Sequence, residues 1–131
     1  MDAVHDPLQV LATTEEGTVR ALTEAKRLTH GSQTRVVLVV PHLLSYLPAP
    51  TGATETSAIS DRYRTLAAAM GVEAVVRVCV CNRLDDVLKW MLRRRSRVVV
   101  GGRRRRWWPT PAQRIAQRLE QDGHDVVFAA L

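Results

Sequence analysis

Apolar residues fall along this chain in short runs that alternate with longer segments where they recur every three or four positions. Leu8-Gln9-Val10-Leu11-Ala12, bounded by Pro7 and by the polar Thr13-Thr14-Glu15-Glu16, predicts a first buried strand. Thr13 and Glu16 have the spacing of a capping box, and Val19, Leu22, Ala25 and Leu28 then share a helical face until Gly31 supplies a stop. Val36-Val37-Leu38-Val39-Val40 is an uninterrupted, mostly β-branched run of the kind found in a central parallel strand covered on both faces, and Pro41 is expected to end it. From His42 to about Thr56 the chain turns to Pro, Gly, Ala and Thr, which predicts a long connection or flap. Ile59, Tyr63, Leu66, Ala67 and Met70 mark a second helix stopped by Gly71.

Val72 to Cys81 alternates, with Val72, Ala74, Val76, Val78 and Val80 on one face and Glu73, Val75, Arg77, Cys79 and Cys81 on the other, a pattern that suits an edge strand. Asn82 and Asp85 offer a cap for a third helix whose inward stripe is Leu84, Val87, Leu88 and Met91. Val98 to Gly101 reads as the fourth strand. A fourth helix follows, with Thr110 as N-cap, Pro111 at its first position, Gln113 completing a capping box, Ile115, Ala116 and Leu119 facing inward, and Gly123 at its end. Asp125 to Ala130 supplies a last strand. Strand and helix alternate throughout, which predicts right-handed crossovers and a doubly wound five-stranded parallel sheet with helices on both faces, formed as one domain over residues 1–131.

Composition narrows the setting. A chain of 131 residues that is 46% hydrophobic is long enough to bury a core without disulfides or metals. Cys79 and Cys81, two positions apart on one side of a strand, are too close for a normal bridge and too few for a zinc site, so they read as small half-buried side chains in a reducing cytoplasm. The first residues, Met1-Asp2-Ala3-Val4-His5-Asp6-Pro7, have no basic and apolar regions of a signal peptide, and no apolar run reaches membrane-spanning length. A soluble, cytoplasmic protein with no membrane partner is expected.

The net charge of +6 points to an anionic partner, and its placement matters more than its size. Arg93, Arg94, Arg95 and Arg97 precede the fourth strand, where the end of the third helix favours cations, and Arg103 to Arg106 follow it, running into Trp107 and Trp108. Loops at the carboxyl ends of parallel strands border the usual ligand crevice. The arginine loop therefore has three readings: a solvated loop whose tryptophans pack on a helix end or a dimer contact, a site for a small phosphorylated ligand, or a nucleic-acid surface with an indole stacked on a base. His5, His30, His42 and His124 are scattered in termini and loops, so no metal site is expected and each has a solvated or capping role. Asp85 and Asp86 point in different directions on a helix and serve its N-terminus better than acid/base chemistry. No Ser or Cys stands in the context of an activated nucleophile, so no catalytic residue is assigned.

In several local features taken together the chain resembles the universal stress protein family over nearly its whole length. These are Val10-Leu11-Ala12-Thr13 before a helix with Ala21-Leu22, Val36 to Pro41 leading into a long loop, Met70-Gly71-Val72, Asp85-Asp86-Val87-Leu88 at the start of the third helix, and a fourth strand ending in Gly101. The resemblance implies strand order 3-2-1-4-5 in a Rossmann-like sheet and a homodimer formed edge to edge through the last strand, here Val126, Val127, Phe128 and Ala129. It also implies a nucleotide site, but the family's motif departs here. Nucleotide-binding members carry an Asp after the first strand, where this chain has Thr13 or Thr14, and a Gly-x-x-Gly followed by a later Gly-Ser or Gly-Thr. Here Arg104 or Arg105 falls at the second glycine, a position expected to need positive φ, and Thr110-Pro111-Ala112 replaces the later pair.

The expected function is that of a noncatalytic, dimeric stress-response or regulatory protein. It would sense a small phosphorylated ligand in a crevice made by Thr13, Val40, Gly101, Gly102, Arg103, Arg104, Arg105, Arg106 and Trp107. No cofactor is expected, with ATP and other nucleotides not favoured. The alternative is a basic module that holds nucleic acid or an acidic protein through the arginine loop. Proline at Val127 is expected to remove a donor from the dimer edge.

Overall fold

The computed structural model describes residues 7–43, 53–91 and 96–131. Residues 44–52 of the flap expected from His42 to about Thr56, His5, Arg93 to Arg95 and the Met91 side chain lie outside the described residues. The order of elements is β1 (Leu8–Leu11), α1 (Glu15–Thr29), β2 (Val36–Leu43), α2 (Ala53–Ala69), β3 (Ala74–Cys81), α3 (Leu84–Met91), β4 (Arg97–Gly102), α4 (Pro111–Gln121) and β5 (Asp125–Ala130). The strands form a parallel five-stranded sheet in the order β3-β2-β1-β4-β5.

Alternation along the central strands divides the core into two layers, because successive side chains leave a strand on opposite faces. Val10, Leu38, Val40 and Val99 meet Ala21, Leu22 and Ala25 of α1 and Ala67 of α2 on one face. Leu11, Val37, Val39, Val98 and Val100 meet Val87 and Leu88 of α3 and Ala112, Ala116 and Leu119 of α4 on the other. The uninterrupted valine runs of β2 and β4 are thus the mark of strands covered twice.

Several boundaries differ from the sequence reading, each for a physical reason. β2 continues through Pro41 to Leu43, with Pro41 opposite Cys79 and Leu43 opposite Cys81. The Val39 carbonyl accepts from Ala12 N on the β1 side, so two residues on the Pro41 nitrogen faces that same side, beyond the end of β1, and no ladder donor is lost. α2 starts at Ala53, inside the stretch read as a loop. The N-cap of α1 is Thr14, whose hydroxyl accepts from Gly17 N, and not Thr13. In β3 the alternation breaks at Val80, which is exposed, while Cys79 and Cys81 pack against the α3/α4 layer. His124 lies at the end of α4, its N donating to the Leu119 carbonyl, but it is buried and not solvated, and its Nδ1 accepts from Ser96 N at 3.1 Å. The α4 capping box of Thr110 and Gln113 forms as expected.

α1 lies unusually close to β4. A Cβ on Gly17 would stand 2.4 Å from the Gly101 carbonyl oxygen, and one on Gly101 would stand 2.0 Å from the Gly17 oxygen. Neither glycine has positive φ; each is small so that two backbones can touch. Gly17→Ala and Gly101→Ala are each expected to lower the unfolding free energy by about 3 kcal/mol or more, because backbone, not a flexible side chain, blocks the added methyl. Urea titration measures this, and a loss below about 0.5 kcal/mol in either variant would contradict the contact.

Candidate functional site

β1 and β4 are neighbours at the centre of the sheet, but β1 feeds α1 on one face and β4 feeds α4 on the other. Two connections that part in this way open a crevice beyond the carboxyl ends of the strands. A cleft of about 1170 Å³ lies there, lined by Ala12, Thr13, Thr14, Glu15, Glu16 and Val19 from β1 and α1, Pro41 and Leu43 from β2, Leu84, Gly102 and Arg103, Thr110, Pro111, Ala112 and Ile115, and Leu131.

The α1 wall is fixed by threonines. Thr18, fully buried, takes Thr13 N on its hydroxyl at 3.0 Å and donates to the Thr14 carbonyl at 2.7 Å. Thr13 Oγ1 donates to the Gly101 carbonyl at 2.8 Å, tying the end of β1 to β4 across the floor. Glu15 and Glu16 occupy the first turn of α1, where the helix dipole favours them. Arg103 on the opposite wall reaches Glu16 at 3.9 Å, and both side chains are largely exposed, so the pair contributes little to stability. The cleft therefore carries carboxylates on one side, a guanidinium on the other and apolar side chains between them.

The turn from β4 to α4 is closed on itself. Gln113 Oε1 accepts from both Arg105 N and Thr110 N at 2.9 Å, and its Nε2 donates to the Arg105 carbonyl at 3.3 Å. Thr110 Oγ1 donates to the Arg103 carbonyl at 2.7 Å and accepts from Gln113 N at 3.2 Å. Amides that a glycine-rich turn would aim at a phosphate are held here by a side-chain carboxamide. Arg104 and Arg105 have no positive φ, so the turn follows a different path from the one their place in the glycine pattern implied.

The residues read from sequence as one crevice fall into three places. Thr13, Gly102 and Arg103 line the cleft. Val40 is 4% exposed in the core beneath it, and Gly101 is buried against Gly17 with its carbonyl bonded to Thr13. Arg104, Arg105 and Arg106 line a separate depression of about 580 Å³ with Gln113, Ala116, Gln117, Glu120 and Phe128, while Trp107 stands exposed on the loop. Sequence reasoning missed Pro41, Leu43, Leu84 and Ile115 as lining residues and Gly17 and Thr18 as the support of the α1 wall. A glycine within the first turn of a helix was the available signal for Gly17; the second use of Gln113, on Arg105, has none.

Among the described residues no cluster of His, Cys, Asp and Glu could hold a metal ion. Burial raises the thiol pKa of both Cys79 and Cys81, and at Cys81 the neighbouring Cys79 and Asp86 add to it. Neither cysteine lines the cleft.

No protein-family model and no curated protein matches this chain. Solved structures do. It is similar to the universal stress protein from Archaeoglobus fulgidus, with a TM-score of 0.67 and 14% identity over 95% of this chain and 93% of that one. The chain has the universal stress protein fold. A structure of the universal stress protein from Archaeoglobus fulgidus in complex with dAMP has a TM-score of 0.65 and 13% identity, covering 96% of this chain and 98% of that one. A universal stress protein in complex with cAMP has a TM-score of 0.62 and 18% identity, covering 98% of each. The universal stress protein fold, with its order 3-2-1-4-5, is thus carried by a sequence of low identity to these structures.

Two outcomes follow from these contacts. Gln113→Ala is expected to speed hydrogen exchange at the Arg105 and Thr110 amides about fivefold, corresponding to about 1 kcal/mol for the lost bonds, and to leave the β4 amides unchanged; unaltered exchange at both would contradict the clamp. The raised thiol pKa values keep Cys79 and Cys81 neutral in the folded chain where the unfolded chain ionises. Their contribution is fully present below about pH 8.5 and is lost as pH rises through the folded values. At pH 9 iodoacetamide should modify the folded chain more slowly than the urea-unfolded chain, and equal rates would contradict this.

Proposed function

We propose that this chain is a noncatalytic ligand-binding protein of the universal stress type, whose cleft takes a nucleoside or nucleoside monophosphate, not a polyphosphate. The observation that carries this reading is the capture of the Arg105 and Thr110 amides by Gln113, together with Arg103 as the one arginine among the described residues of the cleft wall. Apolar Pro41, Leu43, Leu84 and Ile115 suit a planar base, and Arg103 suits one phosphate. Further phosphates would meet Glu15 and Glu16, and the Arg105 and Thr110 amides are already taken by Gln113. Fold neighbours in complex with dAMP and cAMP support the class of ligand. Binding without turnover is supported by the threonines. The hydroxyls of Thr13, Thr14 and Thr110 are each bonded to backbone groups, and no His or Cys is among the described lining residues.

Isothermal titration with adenosine, AMP and ATP tests the reading. AMP should bind, ATP should bind no more than about threefold tighter, and Arg103→Gln should weaken AMP about tenfold while leaving adenosine unchanged. Binding of none of the three, or ATP at least about tenfold tighter than AMP, would overturn it.

The reading includes a homodimer through β5, the open edge beside β4. Asp125 N donates to the Ser96 carbonyl and Leu131 N to the Gly102 carbonyl, so odd-numbered residues of β5 face β4 and Val126 and Phe128 present their amides outward. The outward Ala130 carbonyl is already taken by Arg20 Nε at 3.0 Å. Val127 faces inward, so proline there breaks the chain's own ladder; the informative substitution is Val126→Pro. Sedimentation should find a wild-type dimer and a folded, largely monomeric Val126→Pro variant; a folded variant with unchanged dimerisation would exclude this edge.

A further inference from the structure

The cleft leaves one strongly marked surface unused. Trp107 and Trp108 are 79% and 78% exposed, side by side, at the end of four successive arginines. Among the described residues Arg104, Arg105 and Arg106 have no carboxylate within ion-pair distance; Glu120 is the acidic residue that lines their depression. Two of the guanidinium groups lie over rings, Arg104 at 5.2 Å from the centre of Phe128 and Arg106 at 5.6 Å from that of Trp107. The backbone beneath is held by Gln113 on both polar groups of Arg105 and by Thr110 on the Arg103 carbonyl, so a partner would not have to order it.

We propose that residues 104–108 bind single-stranded nucleic acid, with Trp107 and Trp108 stacking on unpaired bases and Arg105 and Arg106 engaging the adjoining phosphates. A single strand presents in alternation the two groups this loop is equipped for, planar faces and separate anions. A duplex hides its base faces and could use only the arginines. An acidic peptide offers no face to the indoles. An anionic bilayer could take them, but it would bring a sheet of negative charge against Glu120 in the same depression, which a flexible strand can avoid. The site is distinct from the cleft: Arg104, Arg105 and Arg106 line their own depression and are not among the residues that line the cleft.

The test is fluorescence anisotropy of the full chain with a labelled twelve-nucleotide uridine strand, the matching duplex, and vesicles containing phosphatidylglycerol, across a salt series. The strand is expected to bind more tightly than the duplex. Trp107→Ala and Trp108→Ala should each weaken it about fivefold or more, with Phe at either position restoring most of the loss. Arg105→Gln and Arg106→Gln should each reduce the slope of log affinity against log salt by about 0.7. Circular dichroism of every variant should match wild type, since these side chains are exposed. Equal affinity for strand and duplex, insensitivity to both tryptophan substitutions, or binding to vesicles but not to the strand would each overturn the proposal. Arg103→Gln separates it from the cleft reading, as that change should weaken AMP and leave the tryptophan effect on the strand intact.

Discussion

The geometry of the carboxyl end of the sheet rests on the direct contact of two backbones, Gly17 in the first turn of α1 and Gly101 near the end of β4. A side chain on either residue would push the helix outward. The hydrogen bond from Thr13 to the Gly101 carbonyl would then stretch, and with it the link between β1 and β4 across the cleft floor. Thr18 completes the arrangement by satisfying Thr13 N and the Thr14 carbonyl with one buried hydroxyl. The width of the cleft and the position of its acidic wall both follow.

A second constraint acts from α4. Its first turn is packed against Gly102, where a Cβ would come within 2.5 Å of the Ala112 Cβ, and its capping glutamine reaches back to fasten the arginine turn. The same residue that starts the helix thereby removes amides from service in phosphate binding and stiffens the loop that carries Arg104 to Trp108. Charge is sorted accordingly. Arg103 faces the cleft and its carboxylates, and the remaining arginines of the turn face away from it.

The sheet was legible in the sequence because its signals are local. Valine runs mark doubly covered strands, and Thr110, Pro111 and Gln113 mark a helix start whatever surrounds them. What depended on neighbours was not. Whether Pro41 ends a strand depends on which side its missing N–H faces and on how far β1 extends, and neither is written in the residues around it. Thr13 and Thr14 are equivalent as caps until the carbonyl of Gly101, distant in sequence, claims the first of them. His124 looks like a solvated helix-end residue until Ser96 N, just before β4, donates to its ring. The candidate site was legible as a region, since the loop after β4 must border the crevice; its division into a cleft and an outer arginine surface came from helix placement that periodicity does not encode.

The claim most exposed to experiment is that the cleft receives its ligand between the α1 wall and Gly102 while the arginine turn stays closed. Amide chemical-shift mapping during titration with AMP tests this directly. Perturbations should concentrate at Thr13, Thr14, Gly102 and Ala112, with the Arg105 and Thr110 amides retaining their slow exchange on Gln113. Large shifts and rapid exchange at Arg105 and Thr110, with the α1 wall unmoved, would mean that the turn opens to cradle the phosphate and would contradict it.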